Sequence, residues 1–127
     1  LDTVMPGLSL YDFGDSVRSG ANPAAEDERD LSKVCFDLEI FDRFAHGYLD
    51  AARDFLTSTE VDYLAFSAKL MTFECGMRFL TDHLNGDIYF KIHRANHNLD
   101  RCRTQFKMVR DMEEKFDQMV RIVEKYR

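Results

Sequence analysis

A helix-start motif followed by a long apolar stretch is the feature that most limits how this chain can fold. Residues 57–60, Thr-Ser-Thr-Glu, form a capping box, in which the Thr57 hydroxyl and the Glu60 carboxylate satisfy free amides at a helix start. From Val61 to about His83 the sequence then leaves almost no polar face on a helix. We therefore predict one long central helix surrounded by the rest of the protein.

Apolar residues at helical spacing also occur on both sides of this central helix. They predict a short helix from Leu8 to Val17, a second from about 37 to 56, and a long final helix from about 95 to 126. Residues 1–7 read as an extended segment that ends in a Pro-Gly turn, and residues 19–33 as a polar loop. The sequence thus predicts a mainly α fold with one helical domain over residues 1–127.

Charge and composition exclude several classes of protein. The 127 residues carry a formal net charge of −6 and no concentrated basic stretch, so we expect no nucleic-acid partner. No apolar run approaches the roughly 18–20 residues that cross a bilayer, so we expect no membrane partner and a cytoplasmic location. Cys35, Cys75 and Cys102 are odd in number and lie in apolar or helical sequence, which is typical of reduced core cysteines.

The histidines and cysteines give weak signals for chemistry. His93 and His97 have the spacing that places two imidazoles on one helix face, but no acidic residue completes a zinc-binding motif. We therefore predict no metal site in this chain. Cys75 lies in the most apolar helix, which favours core packing over a role as a nucleophile.

Arg78 is the most informative polar residue, because it interrupts the apolar helix one turn after Glu74. A guanidinium buried there needs a partner, since an unpaired buried charge costs several kcal/mol. Two interpretations remain open: a structural pair with Glu74, or the wall of a binding cleft whose ligand accepts hydrogen bonds from the guanidinium. Tyr89, in the extended stretch after an Asn-Gly turn, is placed to reach the same region.

The final helix also allows two interpretations. Its apolar residues recur at alternating steps of three and four, which is nearly a heptad pattern. This pattern fits a helix that packs onto its own domain. It also fits half of a coiled coil, as in a non-enzymatic assembly or protein-interaction module.

Three stretches of the chain, residues 2–15, 66–82 and 89–94, carry a resemblance to a known family. The first contains Leu10-Tyr11-Asp12-Phe13-Gly14-Asp15 and the second Phe73-Glu74-Cys75-Gly76-Met77-Arg78. Together they resemble the C-terminal part of bacterial N-acetylhexosamine 1-kinases, in the aminoglycoside phosphotransferase, choline kinase-like family. The resemblance extends over essentially the whole chain, and it implies the helical C-terminal lobe of a protein kinase-like fold.

The resemblance also implies an activity for a longer parent protein. Members of that family use ATP and Mg²⁺ to phosphorylate the anomeric hydroxyl of N-acetylglucosamine or N-acetylgalactosamine. The catalytic base and the magnesium ligands would lie before Leu1, so we expect this chain to be an inactive fragment without catalytic or metal-binding residues of its own. We also expect it to form a homodimer through apolar surface made to meet the absent part.

Residue by residue, the resemblance places Arg78 and Tyr89 along the sugar cleft and Arg18 and Ser19 near its rim. Ser19 stands where the family has an aromatic ring, which puts the preference among hexosamines in doubt. Asp2 would neighbour the magnesium site without being a ligand. Asp12 would accept hydrogen bonds from the backbone of the catalytic loop. Glu74 is a candidate through its spacing alone, as the side chain that would pair with Arg78.

Overall fold

The computed structural model of the chain describes residues 4–127 and is built from five α-helices. They are α1 (Ser9–Gly20), α2 (Leu38–Ala52), α3 (Ser58–Leu84), α4 (His97–Glu114) and α5 (Phe116–Tyr126), with a short 3₁₀ helix, Leu31–Lys33, before α2. No strand occurs within residues 4–127, so the mainly α prediction is confirmed. Of the extended segment predicted over residues 1–7, residues 1–3 lie outside the described part of the chain, and the backbone bends at Pro6 as the predicted Pro-Gly turn requires.

The capping box at the start of α3 forms as the sequence predicts. The Thr57 hydroxyl accepts a hydrogen bond from the Glu60 N–H, and the Glu60 carboxylate accepts one from the Thr57 N–H at 2.8 Å. The other oxygen of Glu60 accepts a hydrogen bond from the Ser9 hydroxyl at 2.7 Å. One carboxylate therefore ties the start of α1 to the start of α3.

Two glycines bring α1 and α4 close to α3. A Cβ atom on Gly14 would lie 2.5 Å from the carbonyl oxygen of Ser67, so only glycine permits this approach of α1. A Cβ atom on Gly76 would lie 2.7 Å from the ring of Phe106 on α4. These contacts fix α3 between α1 and α4, and α5 packs against α2 and the first part of α3.

One main core joins α1, α2, α3, α4 and α5. It consists of the buried apolar side chains Phe13, Val17, Ala21, Val34, Phe36, Phe41, Leu49, Val61, Leu64, Ala65, Ala68, Met108, Met112, Met119 and Val123. A smaller cluster of Cys75, Phe79 and Cys102 lies between the later part of α3 and the start of α4. Burial of these side chains stabilises the bundle by about 1.5–3 kcal/mol for each large one.

The prediction that protein surrounds the central helix is wrong. One face of α3 is buried, but Tyr63, Phe66, Leu70, Phe73 and Met77 on the opposite face are 40–51% exposed. The apolar residues of α3 therefore form two stripes, and only one of them belongs to the core of this chain.

The predicted single final helix is two helices. The helix is interrupted at Lys115. The ammonium of Lys115 donates hydrogen bonds to the Phe36 carbonyl and to the Asp111 carboxylate. The break turns α5 toward α2, and the apolar residues of both helices pack onto the domain. These contacts favour packing within the domain as the explanation of the near-heptad pattern.

The polar segment 19–33 differs from the prediction only at its ends. Ser19 and Gly20 complete the last turn of α1, and residues 31–33 form the 3₁₀ helix. The middle of the segment is fixed to the start of α4, because Arg94 donates to the Asp27 carboxylate and carbonyl. The ring of His97 is 2.7 Å from the same carboxylate.

No helix within residues 4–127 meets the length and hydropathy required to span a bilayer.

Candidate functional site

A cavity of about 670 Å³ opens where α1, α3, the 84–97 connection and α4 meet. Its volume lies in the range of small-molecule sites in proteins. Its wall consists of Tyr11, Asp12, Asp15, Arg18, Glu26, Met71, Glu74, Cys75, Arg78, Phe79, Phe90, Lys91, His93 and Arg101. The wall thus contains four carboxylates, four arginine or lysine side chains, one histidine, and the rings of one tyrosine and two phenylalanines.

Arg18 is the most firmly held cation in this wall. Its guanidinium donates hydrogen bonds at 2.8 Å to Asp15, three residues earlier on α1, and at 2.8 Å to Glu26 in the polar segment. Burial acts to lower the pKa of Arg18, but the bonds to both carboxylates outweigh burial and raise it. Arg18 is therefore a permanently charged side chain with little freedom to move.

Arg78 lies at the cavity wall, but it is not the buried lone cation that the sequence predicts. Its side chain is 50% exposed, and Glu74 is 3.6 Å away. Its guanidinium also lies 5.5 Å from the ring centre of Phe90 and 5.9 Å from that of Tyr89. The pair with Glu74 therefore forms, and the same guanidinium also lines a cavity.

The buried carboxylate of Asp82 organises the connection that brings Phe90 to the cavity. It accepts hydrogen bonds from the N–H groups of residues 88, 89 and 90 at 2.8–3.0 Å, and from the side-chain amide of Asn98 at 2.7 Å. Burial acts to raise the pKa of Asp82, but these four donors outweigh it and lower the pKa. Asp82 therefore holds a bent, irregular segment where the sequence suggested an extended one.

Arg101 and Lys91 complete the basic side of the cavity. The Arg101 guanidinium donates hydrogen bonds to the Lys91 carbonyl at 3.2 Å and to the Asn98 amide oxygen at 3.0 Å. It also lies 5.6 Å from the ring centre of Phe79. Both partners of this guanidinium are neutral, so its charge is available to a ligand.

The thiol in the cavity wall is not suited to nucleophilic catalysis. Burial raises the pKa of Cys75, and the nearby Arg18 guanidinium only partly offsets that effect. All three cysteines are free thiols, as expected for reduced core cysteines. Within residues 4–127, no group of three or more His, Cys, Asp or Glu side chains is arranged to hold a metal ion.

The structure brings together most of the residues singled out from the sequence. Arg18, Arg78, Asp12 and Glu74 line the same cavity, although they come from two helices. Tyr89 lines a neighbouring cavity of about 420 Å³, which shares Arg78 and Phe90 with the first. The other two candidates are not brought to the wall, because Ser19 is exposed on the last turn of α1 and Asp2 lies outside the described residues.

Sequence reasoning missed much of the remaining wall, in particular Glu26, Phe79, Phe90, Lys91, His93 and Arg101. Two ion pairs of the wall have a local signal: Asp15 and Arg18 are three residues apart on α1, and Glu74 and Arg78 are four apart on α3. Arg101 and Lys91 reach the cavity through the packing of α4 on α3, which has no short-range signature in the sequence.

The chemistry of the wall suits a small ligand with many hydroxyl groups. Carboxylates accept hydrogen bonds from hydroxyls, guanidinium groups donate to hydroxyl and carbonyl oxygens, and aromatic rings cover apolar ring faces. A scan of the sequence against models of known protein families found no match.

Proposed function

We propose that this chain is the substrate-binding, helical C-terminal portion of an ATP-dependent kinase that phosphorylates the anomeric hydroxyl of N-acetylhexosamines. The observation that carries the proposal is the meeting of Arg18, Arg78, Asp12 and Glu74 at one cavity. The resemblance of the sequence to the kinase family assigns roles to Arg18, Arg78 and Asp12, and the spacing of Glu74 to Arg78 predicts their pairing.

The geometry of the cavity supports a sugar as the ligand. Asp12 has its carboxylate at the wall, while Asp15 and Glu26 hold the Arg18 guanidinium in place. Arg78, with its loose 3.6 Å pairing to Glu74, keeps donors for the ring hydroxyls or the acetamido carbonyl. Tyr11 and the half-buried Phe90 are the aromatic side chains of the wall that keep exposed surface, against which a sugar would pack.

In this proposal the chain binds the sugar, and phosphate transfer belongs to a longer parent protein. The resemblance assigns no catalytic base and no magnesium ligand to this sequence, so ATP and Mg²⁺ would be used only by the parent. Phosphoryl transfer requires these groups in position, and the chain alone is therefore inactive. The parent would act in the cytoplasm, in the salvage of amino sugars from glycans.

Isothermal titration of the chain with N-acetylglucosamine and N-acetylgalactosamine tests the proposal. Arg78→Ala removes a cavity donor and should weaken binding roughly tenfold or more, as expected for loss of a charged hydrogen bond. Arg110→Ala is the matched control, because Arg110 also pairs with a glutamate four residues away, at 3.5 Å, but lies outside the cavity. Its affinity should equal that of the wild type.

Circular dichroism melts of both variants show whether each one folds. If Arg78→Ala and the wild type bind the sugars with equal affinity, Arg78 does not contribute to sugar binding. Absence of binding to either sugar by the folded wild-type chain would contradict the proposed ligand.

The alternative function, a non-enzymatic helical assembly, loses its original support, because the final helix breaks at Lys115 and packs onto its own domain. A different surface, the exposed stripe on α3, provides an observation in its favour.

A further inference from the structure

The outward face of α3 carries a continuous apolar stripe that the described residues, 4–127, leave largely uncovered, although the ring of Phe73 stacks on that of Phe106 of α4. Each of six side chains on this face is at least 40% exposed: Tyr63, Phe66, Leu70, Phe73, Met77 and Leu84. The half-buried Leu80 fills the one gap in their spacing. Large exposed apolar patches in a protein usually mark a surface that binds another molecule.

This stripe lies opposite the buried face of the same helix. Leu64, Ala68, Cys75 and Phe79 point into the two apolar clusters, and they are at most 8% exposed. The residues of the stripe are therefore not part of the buried core of this chain.

The spacing of the stripe is that of a coiled-coil seam. Its residues follow one another at steps of three, four, three, four, three and four from Tyr63 to Leu84. At a rise of about 1.5 Å per residue, the seam is roughly 32 Å long, or three heptads. A seam of this kind is covered best by a helix with the same spacing, and a second copy of α3 provides one.

The charges beside the seam favour a second copy in parallel orientation. Lys69 flanks the stripe on one side and Glu74 flanks it on the other, five residues later. In a parallel, in-register pair these two positions face each other across the interface, so each Lys69 meets Glu74 of the second copy. The two-fold symmetry of the pair produces this contact twice.

Both residues have loose ion pairs within the chain, which the contacts across the dimer would replace, and the Lys69 ammonium also lies 4.9 Å from the ring centre of Phe116. Lys69 is 3.8 Å from Glu113, and Glu74 is 3.6 Å from Arg78. Two antiparallel registers pair six of the seven stripe residues. In one, Lys69 would face Gly76 and Glu74 would face Ser67 of the second copy; in the other, Lys69 would face His83 and Glu74 would face the second Glu74. Neither charge would then meet a partner of opposite sign, so the parallel arrangement is favoured.

We propose that this chain forms a parallel, two-fold symmetric dimer through the outward stripe of α3. The apolar residues of the stripe form the buried seam, and the Lys69–Glu74 pairs set its direction and register. The stripe and the large cavity lie on adjacent sides of α3 and meet at Glu74, which flanks the one and lines the other.

Sedimentation equilibrium with a single substitution in the seam tests the interface. Leu70→Glu puts a carboxylate from each copy into the seam and should weaken the dimer roughly 100-fold or more. Val120→Glu is the matched control, because Val120 on α5 is 38% exposed, close to the 41% of Leu70, and lies outside the stripe. The control should dimerise like the wild type, and unchanged melts should show that both variants fold.

A monomeric wild type at millimolar concentration would overturn the proposal. A dimer that Leu70→Glu leaves unchanged would overturn it as well, because the interface would then lie elsewhere.

A cysteine at the end of the seam tests its direction. In a parallel dimer the two copies of residue 84 are adjacent, whereas an antiparallel dimer separates them by roughly the length of the seam. Leu84→Cys should therefore form an intermolecular disulfide under mild oxidation, and the unsubstituted chain under the same conditions is the control. A dimer without this crosslink would contradict the parallel arrangement.

Reversal of the flanking charges tests the register. Lys69→Glu or Glu74→Lys alone should weaken the dimer, because each places like charges opposite one another. The double variant K69E/E74K restores the opposite charges and should recover dimerisation. If the double variant dimerises no better than either single variant, the Lys69–Glu74 pairs are not part of the interface.

Discussion

The side-chain amide of Asn98 donates a hydrogen bond to the Asp82 carboxylate, with 2.7 Å between Nδ2 and Oδ2. The bond joins the first turn of α4 to the last turn of α3. The same amide donates to Asp87 at 2.9 Å, and Asp87 has a left-handed backbone with φ of 59°. One buried amide therefore fixes both the helix pair and the tight turn that leads from α3 toward the cavity.

Replacement of Asp82 by asparagine should destabilise the turn and the cavity wall. The asparagine NH₂ group cannot accept hydrogen bonds, so at least one of the four donors around residue 82 would lose its partner. We expect a melting temperature lower by on the order of 10 °C. Amide hydrogen exchange at residues 88–90 should also be faster in the folded state.

Asp54→Asn is the control for this change, because the side chain of Asp54 is exposed. This variant should have the melting temperature of the wild type. Equal melting temperatures for Asp82→Asn and Asp54→Asn would contradict the role assigned to Asp82.

Stability should fall in acid because two buried carboxylates are held ionised. Burial acts to raise the pKa of Asp111, but the ammonium of Lys115 and the N–H of Phe36 outweigh burial and lower it. The pKa of Asp82 is lowered as well, by its four donors. A carboxylate with a lowered folded pKa stabilises the protein above the unfolded pKa, about 3.9, and loses this effect as pH falls through the folded pKa.

Urea denaturation at a series of pH values measures this dependence. We expect the free energy of unfolding of the wild type to decrease below about pH 4. Asp111→Asn should be less stable than the wild type at pH 7, and its free energy of unfolding should decrease less in acid. Parallel acid profiles for the variant and the wild type would show that Asp111 does not contribute.

Two glycines in different helices should respond to alanine in opposite directions. A Cβ atom on Gly14 would lie 2.5 Å from the Ser67 carbonyl oxygen, so Gly14→Ala forces α1 away from α3 and should cost about 1–3 kcal/mol. Gly47 is exposed on α2, and a Cβ atom there would meet nothing within 4 Å. Gly47→Ala should therefore stabilise the protein by about 0.5–1 kcal/mol through its better helix propensity.

Urea denaturation of the two variants measures both effects. Because Gly14 lies two residues from Asp12, sugar titrations of Gly14→Ala should also show weaker binding. Stabilisation by Gly14→Ala would mean that α1 and α3 are not as close as their backbones indicate.

Local sequence signals were sufficient where the governing contacts are short-range. The capping box at Thr57 and Glu60 predicted the start of α3, because the donors and acceptors involved are three residues apart. The end of α2 was predicted at residue 56, but the helix ends at Ala52. The extended backbone that Thr57 needs as a cap requires the preceding helix to stop earlier.

Sequence reasoning failed where the environment of a residue depends on which helix face is covered. Arg78 was predicted to be buried because its neighbours along the helix are apolar, yet its side chain is 50% exposed. An apolar residue on a helix shows only that burial would be favourable, and it does not show that another element reaches that face. The same reason explains why the outward stripe of α3 was predicted to be core.

The sequence by itself determined that this chain is helical, where its longest helix begins, and which of its charged side chains were candidates for a site. Each of these features depends on backbone capping or on the spacing of residues within one helix. Only the tertiary structure decided that Arg18 and Arg78 share a cavity with Arg101, and that one face of α3 stays open. Those outcomes depend on the close approach of helices at Gly14 and Gly76, which joins residues far apart along the chain.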